Sequence, residues 1–188
     1  MTVDNKTVYK KFGYVDIDEE RINATCDAFF QWKDLNTFIK NVSHRGINMP
    51  DAISEPMGCY CLNLKWNRGN EVGDATDING RKIEFKATSN FNSDLSSFGP
   101  STQFDDLVFL RFDLHNNLLY IYDLNINSEE LGKYPANSKQ SIQDQKDQGR
   151  RPHVRLIDLF IKQQDGHERQ PDIIFNIRRC TIIKDNRK

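Results

Sequence analysis

The sequence predicts an α/β protein, a single domain spanning residues 1–188 in which one central mixed β-sheet is flanked by helices. Three observations predict it. A helical repeat fills the first part of the chain, strand-period runs rich in β-branched and aromatic residues fill its middle and end, and no internal repeat or long linker divides it. At 188 residues the chain suffices for one domain with a substantial core and is too short for two ordinary ones. It divides into a helical part at about 16–66, a strand-rich part at about 70–124, and a polar region with closing strands at about 125–188.

The first helix is predicted to begin near Asp16, where Asp at the cap and Glu19 three residues on resemble a capping box. Ile22, Cys26, Phe29 or Phe30, and the apolar stem of Lys33 then keep helical spacing to about Ile39. Its aromatic-heavy face (Phe29, Phe30, Trp32, Phe38) suits core packing or a subunit interface. A polar loop from Ser43 to Asn48 precedes a second predicted helix, Asp51 to Trp66, with Pro56 in its first turn and Glu55 at its start. Val72 to Lys86 reads as a strand, a tight turn and a strand, because Asn79-Gly80 is the strongest hairpin signal and suits a two-residue type I′ turn. A Ser-, Asn- and Gly-rich loop, Ser89 to Thr102, follows. Asp106–Asp113 and Leu118–Leu124 are two strands joined through His115-Asn116-Asn117. Beyond the polar stretch Pro135 to Pro152, Val154 to Ile161 is predicted as a short helix and Asp172 to Ile183 as a last strand pair.

Lysine and arginine total 26 against 27 acidic residues, so the net charge of −1 gives no global sign of a nucleic-acid partner. The distribution does. From Lys133 to Arg155 six basic residues face two acidic ones, a local +4, and the stretch from Arg178 is basic as well. No apolar run reaches membrane-spanning length, and Met1 to Tyr14 has no signal-peptide core, so the expectation is a soluble, cytoplasmic, unexported protein without a membrane partner. Cys26, Cys59, Cys61 and Cys180 are read as reduced thiols, since one C-x-C pair without a second pair or a histidine cluster does not make a zinc site.

The residues with chemistry lie on the hairpin. Glu84 and Lys86 are two apart, so a strand turns a carboxylate and an ammonium to the same side, while Ile83 and Phe85 face the other way. Asp74 on the partner strand can face them. Asp77 competes for that place, but it has the opposite facing and lies beside the turn, where Asp serves turn chemistry. Two carboxylates and a lysine suit a hard divalent cation at a phosphodiester. The bland alternative is a solvated ion pair worth under about 1 kcal/mol.

Asp74 followed by Glu84-Phe85-Lys86, on a hairpin behind a helix carrying Glu55, resembles the PD-(D/E)XK nuclease core, with Gly73 in place of the usual proline. Arg45 to Cys61, Phe85-Lys-Ala-Thr-Ser, Asp94 to Pro100, Gln143-Asp-Gln-Lys and Gly149 to Val154 resemble the small type II restriction endonucleases that cut GCNGC. The resemblance covers roughly Arg45 to Cys180. It implies a restriction-endonuclease-like fold and Mg²⁺-dependent hydrolysis of double-stranded DNA at a short palindromic site. It also implies a homodimer whose cognate DNA methyltransferase is encoded nearby without being a physical partner.

On this reading Asp74 and Glu84 hold Mg²⁺, Lys86 stabilises charge on phosphorus, and Glu55 is either a further ligand or a carboxylate answering the helix macrodipole. Base readout falls first to Arg150, Arg151 and His153 with Gln143, Gln145 and Lys146, because arginine forks onto guanine. Ser89, Asn90 and Asn92 are second, and His44 and Arg45 third. The alternatives are a structure-selective or repair nuclease on the same core, and a non-catalytic DNA-binding protein whose carboxylates are structural.

Overall fold

The computed structural model describes residues 13–69 and 73–187. The first twelve residues, and Val72 at the start of the predicted hairpin, lie outside the described residues. The strands are Tyr14–Val15 (β1), Lys65–Asn67 (β2), Ala75–Thr76 (β3), Lys82–Thr88 (β4), Ser96–Ser97 (β5), Asp106–Asp113 (β6), Leu118–Asp123 (β7), His153–Val154 (β8), Ile173–Asn176 (β9) and Thr181–Asp185 (β10). Eight of them make one mixed sheet in the order β1-β2-β3-β4-β6-β7-β9-β10, while β5 and β8 pair separately. Within the large sheet β4 and β6 run parallel and the other neighbours antiparallel. A parallel pair requires a crossover. Residues 89–105 supply it and carry β5 on the way.

The helices are Glu19–Val42 (α1), Asp51–Leu62 (α2), Ser128–Gly132 (α3) and Ile142–Asp147 (α4), with a π-helical turn at Ile157–Ile161. The sheet is covered on both faces, as strand alternation allows. Val108, Leu110 and Phe112 of β6 join Ile22, Phe29 and Met57 in one core. Leu107 and Phe109 face the other way, into a second core with Phe98, Phe104, Ile142, Leu156 and Ile161. The predicted mixed sheet flanked by helices is therefore present.

Several boundaries differ from expectation. The α1 cap is Asp18, which accepts from the Arg21 N–H at 2.9 Å, two residues later than predicted. Phe29 and Trp32 enter the core, whereas Phe38 is 63% exposed. Helix α2 stops at Leu62 because Asn63 turns left-handed (φ 56°), which frees Lys65–Asn67 to form β2. Pro56 is the sixth residue of α2 rather than in its first turn, and Glu55 sits a full turn inside the helix. Gly58 brings α2 onto β4: a Cβ there would lie 2.8 Å from the Phe85 ring.

The hairpin turn also differs. Gly80 N–H donates to the Asp77 carbonyl at 3.1 Å and Asp77 N–H to the Arg81 carbonyl at 3.2 Å, with positive φ at Gly80 and not at Asn79. That is a three-residue loop closed by a glycine bulge, not a two-residue type I′ turn. Val154–Ile161 is not one short helix but the end of β8 followed by the π-helical turn. The polar stretch, conversely, contains α4, whose capping box pairs Ser141 with Asp144.

Candidate active site

Strand β4 is the spine of the site. Its central residues are buried between the two cores, with Ile83 and Phe85 in the first. Asp74 lies just before β3 and is fixed twice: its N–H donates to the Ile83 carbonyl at 2.9 Å, and its Oδ2 accepts from the Phe85 N–H at 2.8 Å. The carboxylate of Asp74 is thereby turned onto β4. Asp77 is spent on the turn, where Oδ1 accepts from the N–H groups of Asn79 (2.8 Å) and Arg81 (2.9 Å).

Glu84 is 8% exposed, and its Oε1 pairs with Lys86 Nζ at 2.6 Å. The Lys86 amine also lies 5.1 Å from the centre of the Phe98 ring, a cation–π contact. Burial, then the nearby charge of Glu84, pushes the Asp74 carboxyl up to about 6; the Phe85 N–H and Lys86 oppose the rise. Glu55 comes from α2, with Oε2 accepting from Trp66 Nε1 at 2.7 Å. Burial, followed by the charge of Asp74, lifts its carboxyl to about 8. The site thus holds more carboxylate than its one lysine balances, and a cation binding there would lower both values.

Glu55, Asp74 and Lys86 open on a cleft of about 750 Å³ whose wall also includes Asp51, whereas Glu84 is buried behind Lys86 and does not line it. The donors are all oxygen. Carboxylates near enough to raise one another's pKa fit a hard ion such as Mg²⁺, which keeps several waters, better than an ion needing a full protein cage. Among the described residues no three His, Cys, Asp or Glu side chains form a ready-made cage.

The other predicted residues divide. Ser89 and Asn90 line the cleft, and Asn92 is exposed outside it. This loop is held from below by buried Arg111, whose Nε donates to the Phe91 carbonyl at 2.6 Å while its guanidinium forks onto Glu168 at 2.7 and 3.1 Å. His44 and Arg45 are exposed but do not line the cleft, although Asn48 and Met49, a few residues on, do. Arg150, Arg151 and His153 are exposed, with His153 on β8 opposite Ser97 of the cleft wall. Gln143 is taken up by Asp147 at 2.6 Å, and Gln145 is half-buried.

Lys146 departs most from a solvated recognition loop. It is 6% exposed and donates to the Thr102 carbonyl at 2.9 Å, because the short helix α4 turns it inward while Gln143 stays outside. Asp51, Leu95, Ser97 and Arg155 of the cleft wall were not picked out from the sequence. For Arg155 a signal was there: it ends the basic run that starts at Lys133.

Comparison with known proteins gives the family. The model of the Bsp6I restriction endonuclease family matches residues 17–163. The type II restriction enzyme Bsp6I of Bacillus sp. (strain RFL6) is 43% identical over 172 residues, covering 91% of this chain and 97% of that enzyme. No solved structure matches. Asp74, Glu84, Lys86 and the whole stretch through β8 lie inside the matched segment, and the chain belongs to the Bsp6I restriction endonuclease family, whose namesake is a type II restriction enzyme.

Proposed function

We propose that the chain cuts both strands of duplex DNA at a short two-fold symmetric site, GCNGC, as a homodimer, with Mg²⁺ held by Asp74 and Glu84. The supporting observation is that Asp74 is clamped onto β4 next to the Glu84–Lys86 ion pair, with Asp74 and Lys86 both in the wall of the cleft. The GCNGC assignment rests on the resemblance of Arg45 to Cys61 and of Gly149 to Val154 to enzymes cutting that sequence. Two-fold symmetry in the protein would match that of the site. The protein acts on DNA in the cytoplasm, with protection of the host DNA falling to a methyltransferase encoded nearby; no described helix is long and apolar enough to cross a membrane.

The bound ion would polarise the scissile phosphate and make hydroxide available near neutral pH. The rest falls to the chain. Asp74, clamped by the Phe85 N–H, and Glu84, clamped by Lys86, hold two carboxylates in fixed relation. On arrival of the phosphate, the Lys86 ammonium shifts from Glu84 toward the negative charge gathering on the phosphoryl oxygens and stabilises it. Glu55, at about pKa 8 and hydrogen-bonded to Trp66, stands beside Asp74 as a reserve carboxylate. Arg150, Arg151 and His153, with Gln145 and the Ser89-Asn90 loop, read or position the duplex. Lys146 braces the 98–105 segment through Thr102.

Sequencing the ends left when purified protein and Mg²⁺ digest a defined plasmid tests the proposal. One recurring GCNGC site supports it. Ends without a common sequence point to a structure-selective nuclease, and intact plasmid removes the activity.

A further inference from the structure

We propose that Arg155 is a positioning residue that grips a backbone phosphate of the cleaved strand, an inference that rests on the proposed nuclease reading. Arg155 and Lys86 are the two cations among the described residues lining the cleft, whose wall also carries Asp51, Glu55 and Asp74. Lys86 is already engaged by Glu84 at 2.6 Å. A polyanionic strand therefore meets an acidic wall with Arg155 as its counterweight. Asp158, the ion-pair partner of Arg155 at 3.8 Å, is held more closely by Lys162 at 2.6 Å.

The backbone around Arg155 is anchored, so its side chain is presented from a firm base. Val154 and Leu156 on either side are buried, and His153 and Arg155 point outward. Buried Asp94 accepts from the Leu156 N–H at 2.9 Å and the Ile157 N–H at 3.0 Å, and from Ser96 Oγ at 3.0 Å. Phe98 N–H donates to the Pro152 carbonyl at 3.1 Å. Asp94 thus ties the loop that leaves the catalytic strand to the chain that follows Arg150-Arg151, and Arg155 sits at that junction. A guanidinium there, beside the chemistry rather than out on the readout loop, suits a phosphate oxygen pair, which fixes register without carrying sequence information.

The test is the salt dependence of binding to a fluorescent duplex carrying GCNGC, measured without divalent ions so that nothing is cut. Arg155→Gln should flatten the slope of log affinity against log salt by about one unit, equally on the cognate duplex and on one with the site scrambled. Arg155→Lys should restore the slope. An unchanged slope, or a loss confined to the cognate duplex, overturns the proposal, the latter making Arg155 a base reader. Should Arg155→Gln fail to fold, Arg155→Lys carries the test through cleavage, with a Michaelis constant raised severalfold and little change in turnover expected; a loss of turnover alone overturns the proposal. Failure of the unaltered protein with Mg²⁺ to cut any duplex would sink the nuclease reading while leaving the slope result standing.

Discussion

The ribbon from Asp74 to Lys86 and the stretch from Ser141 to Arg155 are built in opposite ways. In the ribbon, thirteen residues bring their polar groups together through one hairpin, and each group is fixed by a neighbour in the same ladder: Asp74 by Phe85, Glu84 by Lys86. In the second stretch Arg150, Arg151 and Arg155 stand exposed while Lys146 is turned inward, and what fixes the backbone comes from far along the chain: Ser96 and Ser97 pair with Val154 and His153, and Asp94 with Leu156 and Ile157. Chemistry demands a fixed geometry of a few atoms, which a local ladder supplies. Readout of a duplex demands a wide surface, which has to be assembled.

The largest expected effect lies in the ribbon. Lys86→Ala should lower single-turnover cleavage by about 10²–10³-fold, the usual size for losing one stabiliser of developing charge, while duplex binding in a gel-shift titration stays near wild type. Normal cutting by that variant would erase the contrast. Glu55→Gln tests the electrostatic side. Its folded value of about 8 lies above the ordinary 4.5, so folding takes up a proton between those values, and this residue's contribution to stability falls as pH rises from about 4.5 to 8. Urea unfolding of metal-free protein at pH 5 and pH 8 should therefore show a smaller difference for Glu55→Gln than for wild type.

Smaller effects belong to the assembled region. Asp94→Ala strips the acceptor from two buried backbone N–H groups and should cost about 2–6 kcal/mol in urea unfolding, at about 1–3 kcal/mol per group. Specificity should loosen with it, since the loop and the basic stretch lose their tie. Arg150→Ala should cost about 1–3 kcal/mol in cognate binding and relax one position of the site, read by titrating duplexes changed one base pair at a time. A uniform loss on every duplex would instead make Arg150 a phosphate contact.

The sequence by itself determined the parts governed by local periodicity and short spacing. The strand pair Asp106–Asp113 and Leu118–Asp123 was legible because two runs of β-branched and aromatic residues read the same in any context. Glu84 and Lys86 were legible as a pair because strand alternation decides which side chains share a face before anything packs against them. Asn79-Gly80 located the turn but not its type, since the side chain of Asp77 chose a longer loop by capping Asn79 and Arg81.

Tertiary structure decided the rest. Lys146 reads as one more solvated cation until α4 forms and sends its amine beneath Thr102. Asp94 reads as a loop residue until the chain returns sixty residues later to fill its carboxylate with Leu156 and Ile157. Arg155 joins the cleft only through that same return. The physical reason is range: backbone periodicity acts over a few residues, whereas burial and long-range hydrogen bonds depend on which distant segment arrives.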